Sequence, residues 1–183
     1  MALIAIGGFP GAGKTTICRR LCNEFNLPCL SSDSIGRTIE RSQGIGEGRI
    51  ESYRVAYDVL FRLCEDFIQS SVTVVLDLTL GWDFQWRKLD GILERHPRTL
   101  FLPVVLRCSH ELCMERLEAR HRANPGVYAS PDYFRNEQKV RNIWQYLREL
   151  DRPEAHYVDA SDDEDQVYNQ VKQYVTGKIE DRE

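Results

Sequence analysis

The feature that most constrains the chain is the segment GFPGAGKT at residues 8–15. It satisfies the pattern G-x-x-x-x-G-K-S/T, in which glycines let successive backbone N–H groups turn inward around a phosphate group. The segment follows the apolar run ALIAIG and precedes an amphipathic stretch that begins near Lys14, so we expect it to join a β-strand to a helix N-terminus. This strand–loop–helix order predicts a nucleotide-binding α/β domain.

The residues of this loop have distinct expected roles. Lys14 can reach the β- and γ-phosphates of a nucleotide, and the hydroxyl of Thr15 can bind Mg²⁺. Thr16 is expected near the α-phosphate. We therefore predict ATP and Mg²⁺ as cofactors. The predicted nucleotide-binding residues are Gly8, Phe9, Pro10, Gly11, Ala12, Gly13, Lys14, Thr15 and Thr16.

Apolar runs alternate with helical patterns along the rest of the chain. The third and fourth runs are continuously apolar, which is typical of parallel strands that are covered on both faces. The predicted strands are residues 2–7, 27–32, 72–77, 99–108 and 155–160. The predicted helices are residues 14–25, 34–43, 48–70, 83–95, 109–122, 131–150 and 163–178. This alternation predicts one three-layer α/β/α domain over residues 1–183 with a parallel sheet.

A candidate catalytic base follows the second predicted strand, in the segment SSDSIGR. Because ligands of open α/β sheets bind beyond the carboxyl ends of the strands, Asp33 is expected on the same side as residues 8–15, which we call the phosphate loop. Its carboxylate could accept the proton of an attacking hydroxyl, while Arg37, one turn later, could bind the acceptor. The alternative is structural, since Ser32 or Asp33 would also be a good N-cap for the next helix.

A candidate metal ligand ends the third predicted strand, VTVVLD. Four apolar residues that lead to an aspartate are typical of the second nucleotide-binding motif, whose carboxylate holds Mg²⁺ through water. The alternative is that Asp77 caps the following turn. We predict a metal site that comprises Thr15 and Asp77.

The predicted helix at residues 109–122 carries two arginines on an unexpected face. At about 100° per residue, Arg116 and Arg120 project within the apolar stripe rather than opposite it. An arginine on the buried side of a helix requires an anion, which could be a structural carboxylate or a nucleotide phosphate. We favour the phosphates, whose charge Arg116 and Arg120 would neutralise during transfer, and Arg122 is a further candidate.

The segment RANPGVYASPD at residues 122–132 is the most loop-like part of the chain. It predicts a lid over approximately residues 116–135, because a flap beside phosphate-binding arginines would exclude water and prevent hydrolysis. The alternative is an ordinary surface loop.

Acceptor selectivity is expected from residues 34–70, which are rich in tyrosine and arginine. The candidate acceptor-binding residues there are Arg37, Arg49, Tyr53, Arg54 and Tyr57. Trp82 and Trp86 lie one helical turn apart near the expected acceptor entrance. They could stack on a flat substrate, although packing of their helix onto the sheet is the favoured interpretation.

Composition and charge narrow the class of partner and the cellular compartment. The six cysteines form no C-x-x-C pair and no zinc spacing, which favours reduced, mostly buried thiols. The formal net charge of −4 provides no overall attraction to nucleic acid. The apolar start runs directly into the glycine loop, and no apolar run approaches the ~20 residues of a membrane helix. We expect a cytoplasmic location without a membrane partner.

As an ordered set, the motifs resemble the small P-loop kinases of the zeta-toxin, gluconate-kinase, chloramphenicol-phosphotransferase and polynucleotide 5′-kinase group, whose members are often named AAA family ATPases or predicted kinases. The resemblance covers nearly the full length. It rests on GFPGAGKTT, SSD-x-x-x-R, VVLD-x-T and V-x-L-R-C-S-H-E-L-C-M-E-R-L-E-A-R. It implies a five-stranded P-loop sheet in the order 2-3-1-4-5, Asp33 as base, Arg116 and Arg120 as lid arginines, and adenine near residues 158–163.

Two functional hypotheses follow. The first is an ATP-dependent phosphotransferase that acts on a hydroxyl, with Lys14, Asp33, Arg116 and Arg120 as catalytic residues. A small alcohol, sugar, nucleoside or antibiotic is the favoured acceptor. A nucleic-acid 5′ end is the alternative, which the acidic charge and the position of Arg37, one residue later than in polynucleotide kinases, disfavour. The second hypothesis is an ATPase or switch without a separate acceptor, although no guanine-reading N-K-x-D motif is present.

Overall fold

The computed structural model describes residues 1–43, 50–125 and 129–182. Within these ranges, five strands form one parallel sheet in the order β2-β3-β1-β4-β5, which confirms the predicted topology. The strands are β1 (Ala2–Gly8), β2 (Cys29–Ser31), β3 (Val74–Asp77), β4 (Leu100–Arg107) and β5 (His156–Asp159).

Helices alternate with the strands, as a parallel sheet requires for its crossover connections. They are α1 (Lys14–Phe25), α2 (Ser32–Gln43), α3 (Ile50–Gln69), α4 (Asp83–Arg95), α5 (His110–Ala123), α6 (Pro131–Asn136), α7 (Gln138–Glu149) and α8 (Glu164–Glu180). Among the described helices, none is both long and apolar enough to cross a membrane.

The centre of the sheet is the centre of the core. Every residue of β1 is buried, and β1 pairs with β3 on one side and β4 on the other. Asp77 is the register partner of Ile6 in β1 and of Ser31 in β2. The carboxyl ends of these three strands therefore meet at one edge of the sheet, where the loop after β1 and the N-terminus of α2 also lie.

The segment predicted as one helix at residues 131–150 is two helices. Glu137 adopts an extended conformation (φ −70°, ψ 121°), so it ends α6 and begins α7. The break lets the two parts face different surroundings. In α7, Ile143 packs tightly onto Gly81, which lies in the turn after β3. A Cβ atom added to Gly81 would lie 2.6 Å from the Cγ2 atom of Ile143. In α6, by contrast, no residue is buried.

Candidate active site

The phosphate loop between β1 and α1 has the backbone that its glycines predict. Gly8, Gly11 and Gly13 have φ values of 137°, 92° and 93°, which side-chain-bearing residues rarely adopt. Gly11 also has no room for a Cβ atom, which would lie 2.5 Å from the carbonyl oxygen of Cys113. Because Gly13 immediately precedes Lys14, the free N–H groups at the start of α1 face the same concavity.

Two side chains of the loop are already positioned by hydrogen bonds. The Nζ atom of Lys14 donates to the carbonyl oxygen of Phe9 at 3.0 Å, which folds the lysine back over the loop. The hydroxyl of Thr15 donates to Oδ2 of Asp77 at 2.8 Å. The loop is also tied to the end of β3, because the N–H of Gly8 donates to the carbonyl oxygen of Thr79 at 2.8 Å.

Thr15 and Asp77 fit a Mg²⁺ site. Asp77 is 6% exposed, and burial raises the pKa of its carboxyl group, while the Lys14 ammonium and the hydrogen bond from Thr15 act in the opposite direction. A hydroxyl and a carboxylate are the hard oxygen ligands that Mg²⁺ prefers, usually together with water and phosphate oxygens. A bound divalent ion would offset the burial cost of this carboxylate. The chemistry of the two residues therefore agrees with the predicted metal role.

The candidate base Asp33 lies in the first turn of α2, with its side chain exposed. The hydroxyl of Ser31 accepts a hydrogen bond from the N–H of Ser34 at 3.4 Å, so Ser31 occupies the capping position. The alternative in which Ser32 or Asp33 caps the helix is wrong. Asp33 lines the cavity in front of the phosphate loop.

The arginines of α5 differ from one another in their surroundings. Arg116 is half-buried, and its guanidinium donates to the carbonyl oxygen of Ala160 at 2.9 Å rather than to a carboxylate. Arg120 is exposed, so the expectation that both arginines are buried is wrong for this residue, because α5 leaves its C-terminal part open to the cavity. Both line the cavity, whereas Arg122 is exposed and does not.

One cavity of about 1390 Å³ brings these groups together. Its wall includes residues 10–17 of the loop and α1, Asp33 and Asp77 at the strand ends, and Arg116 and Arg120 of α5. The predicted lid contributes Ala129, Ser130 and Tyr133, although residues 126–128 lie outside the described residues. Small-molecule sites usually measure about 300–1,000 Å³, so the cavity has room for two ligands.

The part of the cavity wall that α2 and α3 form is lined by aromatic and cationic side chains. Arg37, Tyr53, Arg54 and Tyr57 all line it, while Arg49 lies outside the described residues. Burial is the main cause that raises the pKa of the Tyr53 hydroxyl, and the charge of the candidate base Asp33 raises it further. Within the ranges that the structure describes, neither Arg37 nor Arg54 forms an ion pair, so both guanidinium groups are available to a ligand.

The two tryptophans have different positions. Trp86 is fully buried and its Nε1 atom donates to the carbonyl oxygen of Leu80 at 3.1 Å, which confirms the packing interpretation for this residue. Trp82 is half-buried and lines the cavity together with Phe84. Phe9 also packs rather than facing the cavity, since its ring contacts Trp144 edge-on with 4.7 Å between centroids. Its predicted part in nucleotide binding is therefore limited to its backbone.

Sequence reasoning missed two buried polar side chains near the site. Gln85 is fully buried, and its Oε1 atom accepts a hydrogen bond from the cavity-lining Thr79 at 3.1 Å. Glu40 is 4% exposed and lines the same cavity, two turns after Asp33 on α2. An isolated glutamine or glutamate on an amphipathic helix normally indicates a solvated face, so the sequence contained no signal for either position.

Comparisons with known sequences place the chain among nucleotide-binding proteins. The family AAA_33, described as an AAA domain, matches residues 3–148. A thymidylate kinase of Xanthomonas euvesicatoria pv. vesicatoria is 27% identical over 202 residues, which cover 98% of this chain and 85% of that protein. A cytidylate kinase of Pyrobaculum islandicum is 47% identical over only 45 residues, so the match spans about a quarter of each protein (25% of this chain and 24% of the relative).

Solved structures show the same fold at low sequence identity. A suspected kinase from Chloroflexus aurantiacus has a TM-score of 0.68 and 21% identity, with 97% of each chain covered. A gluconokinase from Sinorhizobium meliloti has a TM-score of 0.60 and 16% identity, with coverage of 98% of this chain and 92% of that one.

Proposed function

The chain belongs to the AAA_33 family of AAA domains, and on that premise we propose that it is an ATP-dependent phosphotransferase. It moves the γ-phosphate of a Mg²⁺-bound nucleotide to a hydroxyl group of a small-molecule acceptor. The observation that supports this proposal is the large cavity, whose lining combines the phosphate loop, Asp33, Arg116 and Arg120 with the tyrosines and arginines of α2 and α3.

In the proposed reaction, the acceptor oxygen attacks the γ-phosphorus while the bond from that phosphorus to the β–γ bridging oxygen breaks. The hydroxyl proton passes to the carboxylate of Asp33, and ADP leaves. Lys14 and the loop N–H groups hold the phosphates, and Arg116 and Arg120 neutralise the charge on the transferring group. Mg²⁺, held by Thr15 and Asp77, would neutralise charge on the β- and γ-phosphates. Adenine is proposed to lie beside Ala160 and Asp162, which line the cavity after β5.

A nucleoside monophosphate is the second candidate acceptor, because the thymidylate kinase relative is similar over nearly the whole chain. A phosphate acceptor has no hydroxyl proton that must be removed at neutral pH, so it would not need a carboxylate at position 33. The exposed carboxylate of Asp33 on the cavity wall therefore favours the hydroxyl acceptor.

An acceptor screen tests the proposal. The protein is incubated with γ-labelled ATP and Mg²⁺, and transfer is measured to alcohols, sugars, nucleosides, antibiotics, nucleoside monophosphates and 5′-OH oligonucleotides. We expect transfer to at least one small hydroxyl compound and almost no release of phosphate without an acceptor. Transfer only to monophosphates or only to oligonucleotides would contradict the proposed small hydroxyl acceptor and would identify that other class as the acceptor. Rapid hydrolysis without any acceptor would instead support an ATPase or switch.

Arg54 supplies a prediction about the acceptor. Once an acceptor is known, Arg54→Ala is expected to raise its KM by at least about tenfold, because a hydrogen bond to a charged group contributes about 1.5–3 kcal/mol. The KM for ATP should stay the same. Arg62→Ala is the matched control, since Arg62 lies two turns later on α3 and pairs with Asp66 on the surface. An unchanged acceptor KM in the Arg54 variant would remove this residue from the acceptor site.

A further inference from the structure

Two free thiols lie against each other beside the phosphate loop. Cys108 directly follows β4 and Cys113 lies in the first turn of α5, and their Sγ atoms are 2.9 Å apart. A disulfide bond requires about 2.05 Å between the sulfur atoms, so the two atoms need to approach by less than about 1 Å to bond. The intervening segment is short, and Ser109 caps α5 by accepting from the N–H of Leu112 at 3.1 Å.

The two cysteines differ in their exposure to solvent. Cys113 is fully buried, whereas Cys108 is half-buried and lines a shallow cavity with Ser109, Tyr157 and Asp159. This shallow cavity is separate from the large cavity that holds the phosphate loop. An oxidant that enters this shallow cavity can therefore reach Cys108.

The surroundings of Cys108 lower the pKa of its thiol. The hydrogen bond from the Cys113 thiol lowers the pKa of Cys108, and the charges of Arg116 and Lys14 act in the same direction, whereas burial and the charge of Asp159 oppose them. The same contact is the main cause that raises the pKa of Cys113, and burial raises it further. Cys108 is thus suited to attack an oxidant, and Cys113 is positioned to react with the product.

Cys113 also touches the phosphate loop through its backbone. Its carbonyl oxygen would lie 2.5 Å from a Cβ atom built on Gly11, and its carbonyl carbon and Cα would lie 3.1 Å away. No side chain stands between the first turn of α5 and the loop at this point. A displacement of Cys113 therefore acts directly on the backbone that is expected to hold the phosphates.

We propose that Cys108 and Cys113 form a reversible disulfide bond that weakens nucleotide binding by the adjacent loop. The proposed effect rests on the nucleotide binding proposed above, but formation of the bond does not. The pair would be a modification site, because the two sulfur atoms already lie close together in the reduced protein.

The chemistry needs a peroxide as the oxidant. The Cys108 thiolate attacks one oxygen of hydrogen peroxide, the O–O bond breaks, and a sulfenic acid and a hydroxide ion form. The hydroxide takes the proton of the Cys113 thiol, giving water. The Cys113 thiolate then attacks the Cys108 sulfur and expels a second hydroxide, which forms the disulfide bond. A thiol reductant reverses the oxidation by exchange.

The first measurement detects the bond itself. Trypsin cuts after Arg107 and after Arg116, so both thiols fall in the peptide at residues 108–116, which contains no other cysteine. The protein is treated with hydrogen peroxide, its remaining thiols are alkylated, and this peptide is analysed by mass spectrometry. We expect it to have lost two hydrogen atoms and to carry no alkyl group, and dithiothreitol should restore both thiols.

The second measurement follows MgATP binding before and after oxidation. We expect the Kd of the reduced protein to rise about tenfold on oxidation and to return after treatment with dithiothreitol. Cys108→Ser should bind MgATP like the reduced protein and show no response to peroxide. Cys29→Ser is the matched control, because Cys29 is exposed and hydrogen bonds from Cys18 and Cys22 lower its pKa to about 4. This variant should respond to peroxide like the unmodified sequence.

The outcomes separate the two proposals. Failure of the reduced protein to bind MgATP would contradict the proposed function, while the peptide measurement would still report on the bond. Two alkylated thiols in the 108–116 peptide after oxidation, or an unchanged Kd once the disulfide has formed, would overturn the inference. A response that disappears in Cys29→Ser but persists in Cys108→Ser would also overturn it.

Discussion

Replacement of Asp33 by asparagine is expected to lower the rate of phosphate transfer by at least ~10²-fold and to leave the affinity for ATP nearly unchanged. Asparagine keeps the size and the hydrogen-bonding shape of the side chain but cannot accept the hydroxyl proton. Because Asp33 is exposed and does not cap α2, the substitution should not cost the helix its cap. Single-turnover transfer with a fixed acceptor, together with ATP titration, measures the two quantities separately.

The control for this prediction is Asp83→Asn. Asp83 is likewise an exposed carboxylate in the first turn of a helix, but it pairs with Arg87 on the surface and does not line the cavity. A surface ion pair of this kind contributes little to stability, so transfer should remain normal in the control. Unimpaired transfer in Asp33→Asn would remove Asp33 from the mechanism. With a nucleoside monophosphate as acceptor, transfer should depend on Asp33 far less than with a hydroxyl acceptor.

Replacement of Arg120 by alanine is expected to lower transfer by about 10³-fold and to weaken ATP binding much less. An arginine that meets the γ-phosphate only as the lid closes contributes chiefly to the transition state, where comparable arginines contribute 10³-fold or more. Arg120 is exposed on the cavity wall, so its removal creates no buried void. Steady-state kcat and KM for ATP, measured against Arg122→Ala on the same helix, test this expectation.

The two arginines of α5 are expected to respond differently. Arg116 donates to the carbonyl oxygen of Ala160 after β5, so Arg116→Ala should also lower the melting temperature. Arg120→Ala should leave that temperature close to the original value. If Arg120→Ala raises the KM for ATP without slowing transfer, the residue binds the ground state only, and the proposed transition-state role is wrong.

Local pattern was sufficient to predict the phosphate loop and the alternation of strands and helices, because the relevant forces act between near neighbours in the chain. Gly8, Gly11 and Gly13 were predicted to curl around phosphate, and each has a positive φ. The helix expected from Lys14 begins at that residue. The order of the five strands was not a matter of local pattern. It came from the resemblance to P-loop kinases, and the observed sheet confirms it.

Other features could not be predicted because they depend on which groups meet in space. Ser31 took the capping role and left Asp33 unused, which depends on the conformation in which β2 ends rather than on the preference of serine or aspartate alone. Helical periodicity placed Arg120 on the buried face, but the wall of a large cavity is open to water, so the residue is exposed. The break at Glu137 was hidden for a similar reason, since both halves of residues 131–150 have helical patterns.

The sequence by itself determined the backbone of the loop at residues 8–15, since its glycines adopt positive φ values that residues with side chains rarely adopt. Only the tertiary structure decided that the hydroxyl of Thr15 donates to Asp77, 62 residues away, and that the backbone of Cys113 packs against Gly11. These contacts join distant parts of the chain, and only the register of the parallel strands and the packing of α5 set their distances.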